Sequence, residues 1–219
     1  MQRLSRCRVV IPGINAARLR VDLPLQCRCG RVRGVAGGVS SSSGFRFVCY
    51  CKDCQAFARF LERPDVLDPA GGTDIFQMPP SRVKLTAGMD ALRCLRLSAK
   101  GVLRWYTDCC RTPIGNTAAS PRFPVIAVVH SFMVHGADSR SRDEVPGPPL
   151  CRIYERSAVG ALPPNAPAPP SLGVFARRAS KIFGWWVLGL GRPSPLFDDR
   201  TNAPLAVPRV LTRSERAAL

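Results

Sequence analysis

Apolar residues in the first 155 positions recur mostly in short runs with a period near two, and Gly, Pro or Ser clusters separate the runs. Residues 19–23 set apolar side chains against Arg20 and Asp22, which predicts a strand with one buried face. Further strands are expected at 31–35, 45–48, 74–77, 82–86, 92–98, 102–106, 124–132 and 151–154. The period changes at 54–61, where Phe57, Phe60 and Leu61 share one helical face and Asp53 stands where an N-cap is expected. Many short strands divided by turn signals predict a mainly β fold.

The C-terminal third reads differently. Residues 158–171 are rich in Ala and Pro and predict a linker or a strap along the surface. Residues 173–190 predict an amphipathic helix, with Phe175, Ala179, Ile182, Phe183, Trp186 and Leu190 on one side and Arg177, Arg178 and Lys181 on the other. Such a helix docks its apolar side on a core or lies on a membrane surface, and docking is the expectation. The tail to residue 219 is Pro-rich, with a short helix expected near its end. The organisation expected is a basic segment 1–18, a zinc-binding domain 19–157, a linker 158–172, and a helix with tail 173–219 packed on the core.

Hydrophobic residues make up 46% of the chain, too many for a disordered polymer. No run approaches the ~18 consecutive apolar residues that span a bilayer. The apolar stretch Val9-Val10-Ile11 stops at Pro12, too short for a secretory signal, so the expected compartment is the cytosol. The formal net charge is +17, which suits a phosphate-bearing partner such as nucleic acid. Of 32 basic residues only four are lysine, leaving 28 arginines, and these are scattered along the chain. That pattern fits a generic basic surface as well as a binding one.

Ten cysteines in a cytosolic chain point to metal or thiol chemistry before disulfides. In a strand, residues i and i+2 point to the same face, so C-x-C lets two sulfurs reach one ion. Cys27-Arg28-Cys29 has this spacing, and Cys49-Tyr50-Cys51-Lys52-Asp53-Cys54 joins a C-x-C to a C-x-x-C. With the downstream pair Cys109-Cys110, the set predicts one or two zinc ions per chain. Structural zinc is closed by four protein ligands and catalytic zinc keeps a position open. Cys49, Cys51 and Cys54 offer three thiolates and no adjacent fourth ligand. Cys27 and Cys29 need partners from elsewhere, and Cys110 is the natural supplier.

The segments Leu25-Gln26-Cys27-Arg28-Cys29-Gly30, Cys49-Tyr50-Cys51-Lys52-Asp53-Cys54-Gln55 and Arg104-Trp105-Tyr106-Thr107-Asp108-Cys109-Cys110-Arg111-Thr112-Pro113-Ile114 resemble the glutathione-dependent formaldehyde-activating enzyme / centromere protein V family over residues 20–155. The resemblance implies a β-rich fold with a structural zinc, held by the first C-x-C and a later C-x-x-C, and a second zinc on the C-x-C-x-x-C that is catalytic in enzymatic members. There a thiol such as glutathione adds to an aldehyde, formally the reverse of a carbon–sulfur lyase. The family's later motif reads C-x-x-C-G-T-P, and here Thr107 stands where its first cysteine belongs. Cys109, Asp108 and Cys94 are the candidates to replace it. Residues 104–116 and 192–198 look like those of a bacterial branch for which formaldehyde activation is not implied.

The function expected is that of a zinc protein resembling carbon–sulfur lyases that act on a small thiol or a thiol–aldehyde adduct such as S-hydroxymethylglutathione. The alternative is a non-catalytic zinc module that binds nucleic acid or protein through its basic surface. His130 and His135 are the only histidines and read as core or edge residues before ligands. Ser131 and the serines at 40–43 have no His/Asp arrangement nearby, and Gly71-Gly72-Thr73-Asp74 lacks the lysine of a phosphate loop.

Overall fold

The computed structural model describes residues 20–135 and 139–219; the basic segment 1–18, with Cys7, lies outside them. Among the described residues eleven strands form two sheets. β1 (Val21–Gln26), β2 (Arg33–Val39) and β5 (Val83–Ala87) make a three-stranded antiparallel sheet in the order β1-β2-β5. The larger sheet also uses β3 (Phe45–Cys49), β4 (Thr73–Met78), β6 (Leu92–Arg96), β7 (Leu103–Thr107), β8 (Pro113–Thr117), β9 (Ile126–Val129), β10 (Arg152–Ile153) and β11 (Pro208–Val210). Its order is β10-β3-β4-β9-β8-β7-β6-β11. The six central strands are antiparallel, and both edge strands pair in parallel.

Period-two alternation assigns the two faces of the large sheet. Leu92, Cys94, Leu103, Trp105, Ile126 and Val128 point into one core with Leu23, Leu25, Val32, Ala36 and Val83 of the small sheet. The alternate residues face the helices. Leu95 and Tyr106 pack with Phe57 of α1 (Lys52–Phe60) and with Leu61, its C-cap. Phe45, Phe47, Cys49, Ile75 and Ala127 form a separate cluster that reaches Val174 of α3 (Leu172–Val187). The molecule is therefore a small sheet, a large sheet and a helical layer, with the cysteine-bearing end of β3 beneath the helices.

Three elements were not expected from the sequence pattern. β8 opens on Pro113 and carries Gly115, both poor strand formers, yet it lies at the centre of the sheet. A Cβ on Gly115 would sit 2.6 Å from the Ala127 carbonyl, so glycine is what lets β8 and β9 approach. β11 lies within the Pro-rich tail, and α2 (Ser139–Glu144) is a short polar helix. The segment 158–171 is a strap: Val159 N–H donates to the Ala70 carbonyl (2.9 Å) and Arg152 N–H to that of Ala168 (3.0 Å). α4 (Arg213–Ala217) ends the chain, with Thr212 and Glu215 forming a capping box.

Only part of the apolar side of α3 docks as expected. Val174, Arg178, Lys181, Ile182 and Trp185 meet the body, and Phe175, Ala179, Phe183 and Trp186 face outward. Arg178 Nε donates to Gln77 Oε1 (2.8 Å), and Lys181 Nζ donates to the Ser42 carbonyl. No described helix is long and apolar enough to cross a membrane.

Candidate metal centres

Two groups of thiols gather, each with all its sulfurs within 4.8 Å of one another: Cys27, Cys29, Cys109 and Cys110, and Cys49, Cys51 and Cys54. The first group forms where two turns meet. After β1 the chain folds back, with Gly30 N–H donating to the Cys27 carbonyl (2.9 Å) and Val32 N–H to Cys27 Sγ (3.2 Å). Gly30 takes φ +79°, a conformation glycine adopts without steric cost. The opposing turn joins β7 to β8. It is closed by Thr107 N–H to the Thr112 carbonyl (3.0 Å) and Thr112 N–H to Thr107 Oγ1 (3.1 Å). Arg28 N–H donates to Thr112 Oγ1 (3.0 Å) and ties one turn to the other.

The Sγ separations in this group are 3.6 Å for Cys27–Cys29, 3.9 Å for Cys27–Cys109, 3.4 Å for Cys29–Cys109 and 3.9 Å for Cys109–Cys110. A tetrahedral zinc with Zn–S near 2.3 Å sets sulfurs about 3.8 Å apart, so the donor set fits that ion. Cys109 is thus the fourth member, and the adjacent Cys109-Cys110 pair is accommodated by a turn that places Arg111 at φ +53°. The other two candidates lie elsewhere. Cys94 is buried in the core between the sheets, where burial pushes its thiol up to about 12, and Asp108 pairs with Arg93 at 2.6 Å. Cys110 is pulled down to about 5: against the cost of burial, the hydroxyls of Thr107 (3.4 Å) and Thr112 (3.2 Å) reach its sulfur. Thr107 therefore contributes a hydroxyl contact beside the site instead of a sulfur.

The second group is local. Cys49 is the last residue of β3, Cys51 is the N-cap of α1, and Cys54 lies in its first turn. Cys51 Sγ accepts from Cys54 N–H (3.3 Å), so the cap is a cysteine and not Asp53. Asp53 instead pairs with Arg216 at 2.7 Å and lies 3.7 Å from Arg104. In neither C-x-C do both residues lie on one strand, as simple alternation suggested. The sulfurs converge because the chain turns at the strand end and aims a backbone N–H at one of them. The Cys49 and Cys54 sulfurs are 3.7 Å apart. Hydrogen bonding from Cys49 and then Cys54 pulls Cys51 down to about 2, and the bond to Cys51 is the largest cause raising Cys49.

Sequence reasoning overlooked Arg104. Its side chain is buried on β7 and stands 3.9 Å from Cys54 Sγ, 3.4 Å from Asn116 Oδ1 and 5.5 Å from the Phe57 ring centroid. Its positive charge favours the thiolate forms of Cys51 and Cys54. The signal was a charged residue among strand positions that otherwise pack, Leu103, Trp105 and Thr107. Cys151, on the strand-end approach to β10, packs in the same cluster as Cys49 and Cys54 but is not part of the thiol group.

The remaining candidates stay outside both groups. His130 Nδ1 lies 3.2 Å from the Asp74 carbonyl, and burial lowers both histidines, His135 to about 4. Ser40 and Ser43 bond to each other within a turn. Gly71-Gly72 closes a turn on Asp68, whose Oδ1 accepts from Ala70 and Gly72 N–H.

A comparison with curated proteins finds no match. A family model described as a family of unknown function (DUF6151) matches residues 19–206, a span that takes in both thiol groups, the strap and α3, and the chain belongs to that family.

Proposed function

We propose that Cys49, Cys51 and Cys54 hold a working zinc ion and that the chain acts on small thiols and their aldehyde adducts, while Cys27, Cys29, Cys109 and Cys110 hold a structural one. The observation that carries this reading is the unequal ligand count. One group has four thiols, and the other has three with no further Cys, His, Asp or Glu joining it among the described residues. The resemblance to the glutathione-dependent formaldehyde-activating enzyme / centromere protein V family gains support from Arg111. It occupies the position that the family's motif gives to glycine, and it adopts φ +53°, where glycine is at ease.

The reaction proposed joins R–SH and R′CHO to give R–S–CH(OH)–R′. The carbon–sulfur bond forms, the carbonyl π bond becomes a C–O single bond, and the thiol proton ends on that oxygen. Zinc bound to the three cysteines supplies a Lewis acid that favours the thiolate form of a thiol and polarises a carbonyl. The chain supplies the surroundings. Arg104 offsets the thiolate charge from 3.9 Å. With Thr73 and Asn116 it lines a cavity of about 10 Å3 against Cys54, the space of a single water or reacting oxygen. Thr73 Oγ1 is buried there with no hydrogen-bond partner among the described residues. On the Cys49 face of β3, Phe45 and Phe47 border a cavity of about 460 Å3 under α3, a size suited to a small organic substrate.

The test is metal analysis of the purified chain, followed by thiol-dependent aldehyde consumption with glutathione and other small thiols. Two zincs per chain, one lost in Cys51→Ala together with turnover, is the expected result. One zinc that depends on Cys27 and Cys29, with no turnover across the panel, would leave a non-catalytic zinc module.

A further inference from the structure

Beyond the end of β9 the chain crosses toward the small sheet, fixed by Met133 N–H to the His130 carbonyl (3.0 Å) and Val134 N–H to the Pro24 carbonyl (2.8 Å). Arg28 of the β1–β2 turn, Arg63 and Asp65 after α1, and Arg142 of α2 stand around this segment. With Ser131 and His135 they line an open cavity of about 660 Å3. It shares no wall residue with the two cavities near the local thiol group. Arg63 Nη1 donates to Thr112 Oγ1 (3.1 Å), so the wall is tied to the turn that carries Cys109 and Cys110.

Two polar atoms at this cavity lack partners. Ser131 Oγ and His135 Nδ1 are buried and make no hydrogen bond among the described residues. Folded chains rarely leave such atoms unpaired, and two at one cavity call for a polar occupant. Water would satisfy them, but it would not balance the charge. Asp65 is the only carboxylate on the wall, and Arg63 holds it through two contacts of 2.7 Å. Arg28 and Arg142 have no carboxylate within ion-pair distance among the described residues. The acids of the adjoining cavity are engaged elsewhere. Arg46 takes Asp74 (2.6 Å) and Asp143 (2.7 Å), and Asp68 accepts from the Tyr50 hydroxyl (2.8 Å) and from Ala70 and Gly72 N–H. Burial holds both histidines below their ordinary value, so neither adds charge at neutral pH. Three guanidinium groups against one carboxylate leave two positive charges.

A carboxylate or a phosphodiester brings one negative charge. A phosphate monoester brings close to two, and its oxygens accept hydrogen bonds from several directions at once. We propose that this cavity binds a phosphate monoester, with Arg28 and Arg142 gripping the phosphoryl group and Ser131 Oγ and His135 Nδ1 donating to it. Arg63 is a positioning residue that neutralises Asp65, the one wall group that would repel the anion. The cavity exceeds a phosphate ion in size and leaves room for the organic part of the ester.

The test is calorimetric titration of the purified full chain with inorganic phosphate and with glycerol 3-phosphate, malonate serving as a dianion without phosphorus. Both phosphates are expected to bind at one site per chain and to raise the melting temperature. Arg28→Ala and Arg142→Ala each lower affinity about tenfold. Arg28 joins the two turns through its backbone N–H, which alanine keeps, and zinc content reports that the inter-sheet centre is intact. Ser131→Ala lowers affinity about threefold yet does not lower the melting temperature without phosphate, because its hydroxyl has no partner to lose. Cys51→Ala retains phosphate binding, which separates this cavity from an open metal position. Arg177→Ala, at an exposed cation on α3, leaves affinity unchanged. Circular dichroism reports that each variant is folded. Absence of saturable phosphate binding overturns the proposal, as does binding indifferent to the Arg28 and Arg142 substitutions. So does loss of binding in Cys51→Ala, an equal loss in Arg177→Ala, or malonate bound as tightly as glycerol 3-phosphate.

Discussion

The first thiol group draws its sulfurs from turns 80 residues apart in sequence, whereas the second takes all three from six consecutive residues. The first sits where the β1–β2 turn of the small sheet meets the β7–β8 turn of the large one, and Cys29 and Cys109 are exposed. The second has Cys49 and Cys54 buried beneath the helical layer with a buried guanidinium beside them. An ion that joins distant segments closes a long loop and contributes directly to folding. An ion in a local turn is positioned by a fold that stands without it. On the function proposed above, the origin of the ligands along the chain, as much as their number, separates the structural centre from the working one.

This contrast is broken most severely at Cys27. Cys27→Ser is expected to remove one zinc and several kcal/mol of stability, a large part of a domain's margin, read by metal content and thermal melting. Cys109→Ser should behave alike and Cys94→Ser should keep both zincs; the reverse pattern would reassign the fourth ligand. Cys51→Ser separates metal from helix start, because a serine oxygen can still accept from Cys54 N–H. It should cost about 1 kcal/mol or less in melting experiments while abolishing turnover in the thiol–aldehyde assay. Arg104→Gln sharpens the comparison further. It should weaken zinc at the local centre by about 10–100-fold in chelator competition and leave the inter-sheet centre unchanged.

The smallest effect concerns His135, whose pKa is lowered by burial to about 4 from 6.5. Between those values the unfolded chain takes up a proton that the folded chain refuses. Stability is therefore fully present above pH 6.5 and falls as pH drops toward 4. His135→Gln should flatten that slope in melts recorded across the window. An unchanged slope would move its origin elsewhere.

Alternation made β1 legible, with one face buried, while β3, β4 and β7, buried on both faces, were legible as short apolar runs between turn signals. β8 was hidden because proline and glycine serve close sheet packing there, a tertiary demand that no local pattern expresses. The thiol motifs were legible as spacings, but the exchange of Thr107 for Cys109 depends on how a turn places two neighbouring sulfurs. The cap of α1 was misread for a related reason. Asp53 is the better cap by residue type, yet the turn after β3 gives that place to Cys51. Arg104 was invisible as a site residue until α1 and β7 were brought together. The amphipathic pattern of α3 was legible, but the line of contact with the body, through Val174 and Trp185, was not.

The two edge strands of the large sheet come from the far end of the chain. β10 begins at residue 152 and β11 at residue 208, while the strands they cover, β3 and β6, are complete by residues 49 and 96. A chain emerging from the ribosome N-terminus first can therefore assemble the antiparallel middle, complete by residue 129, while both flanks stay open. Edge protection arrives last, from short pieces of two and three residues. Chains interrupted before residue 208 would present the β6 flank unpaired.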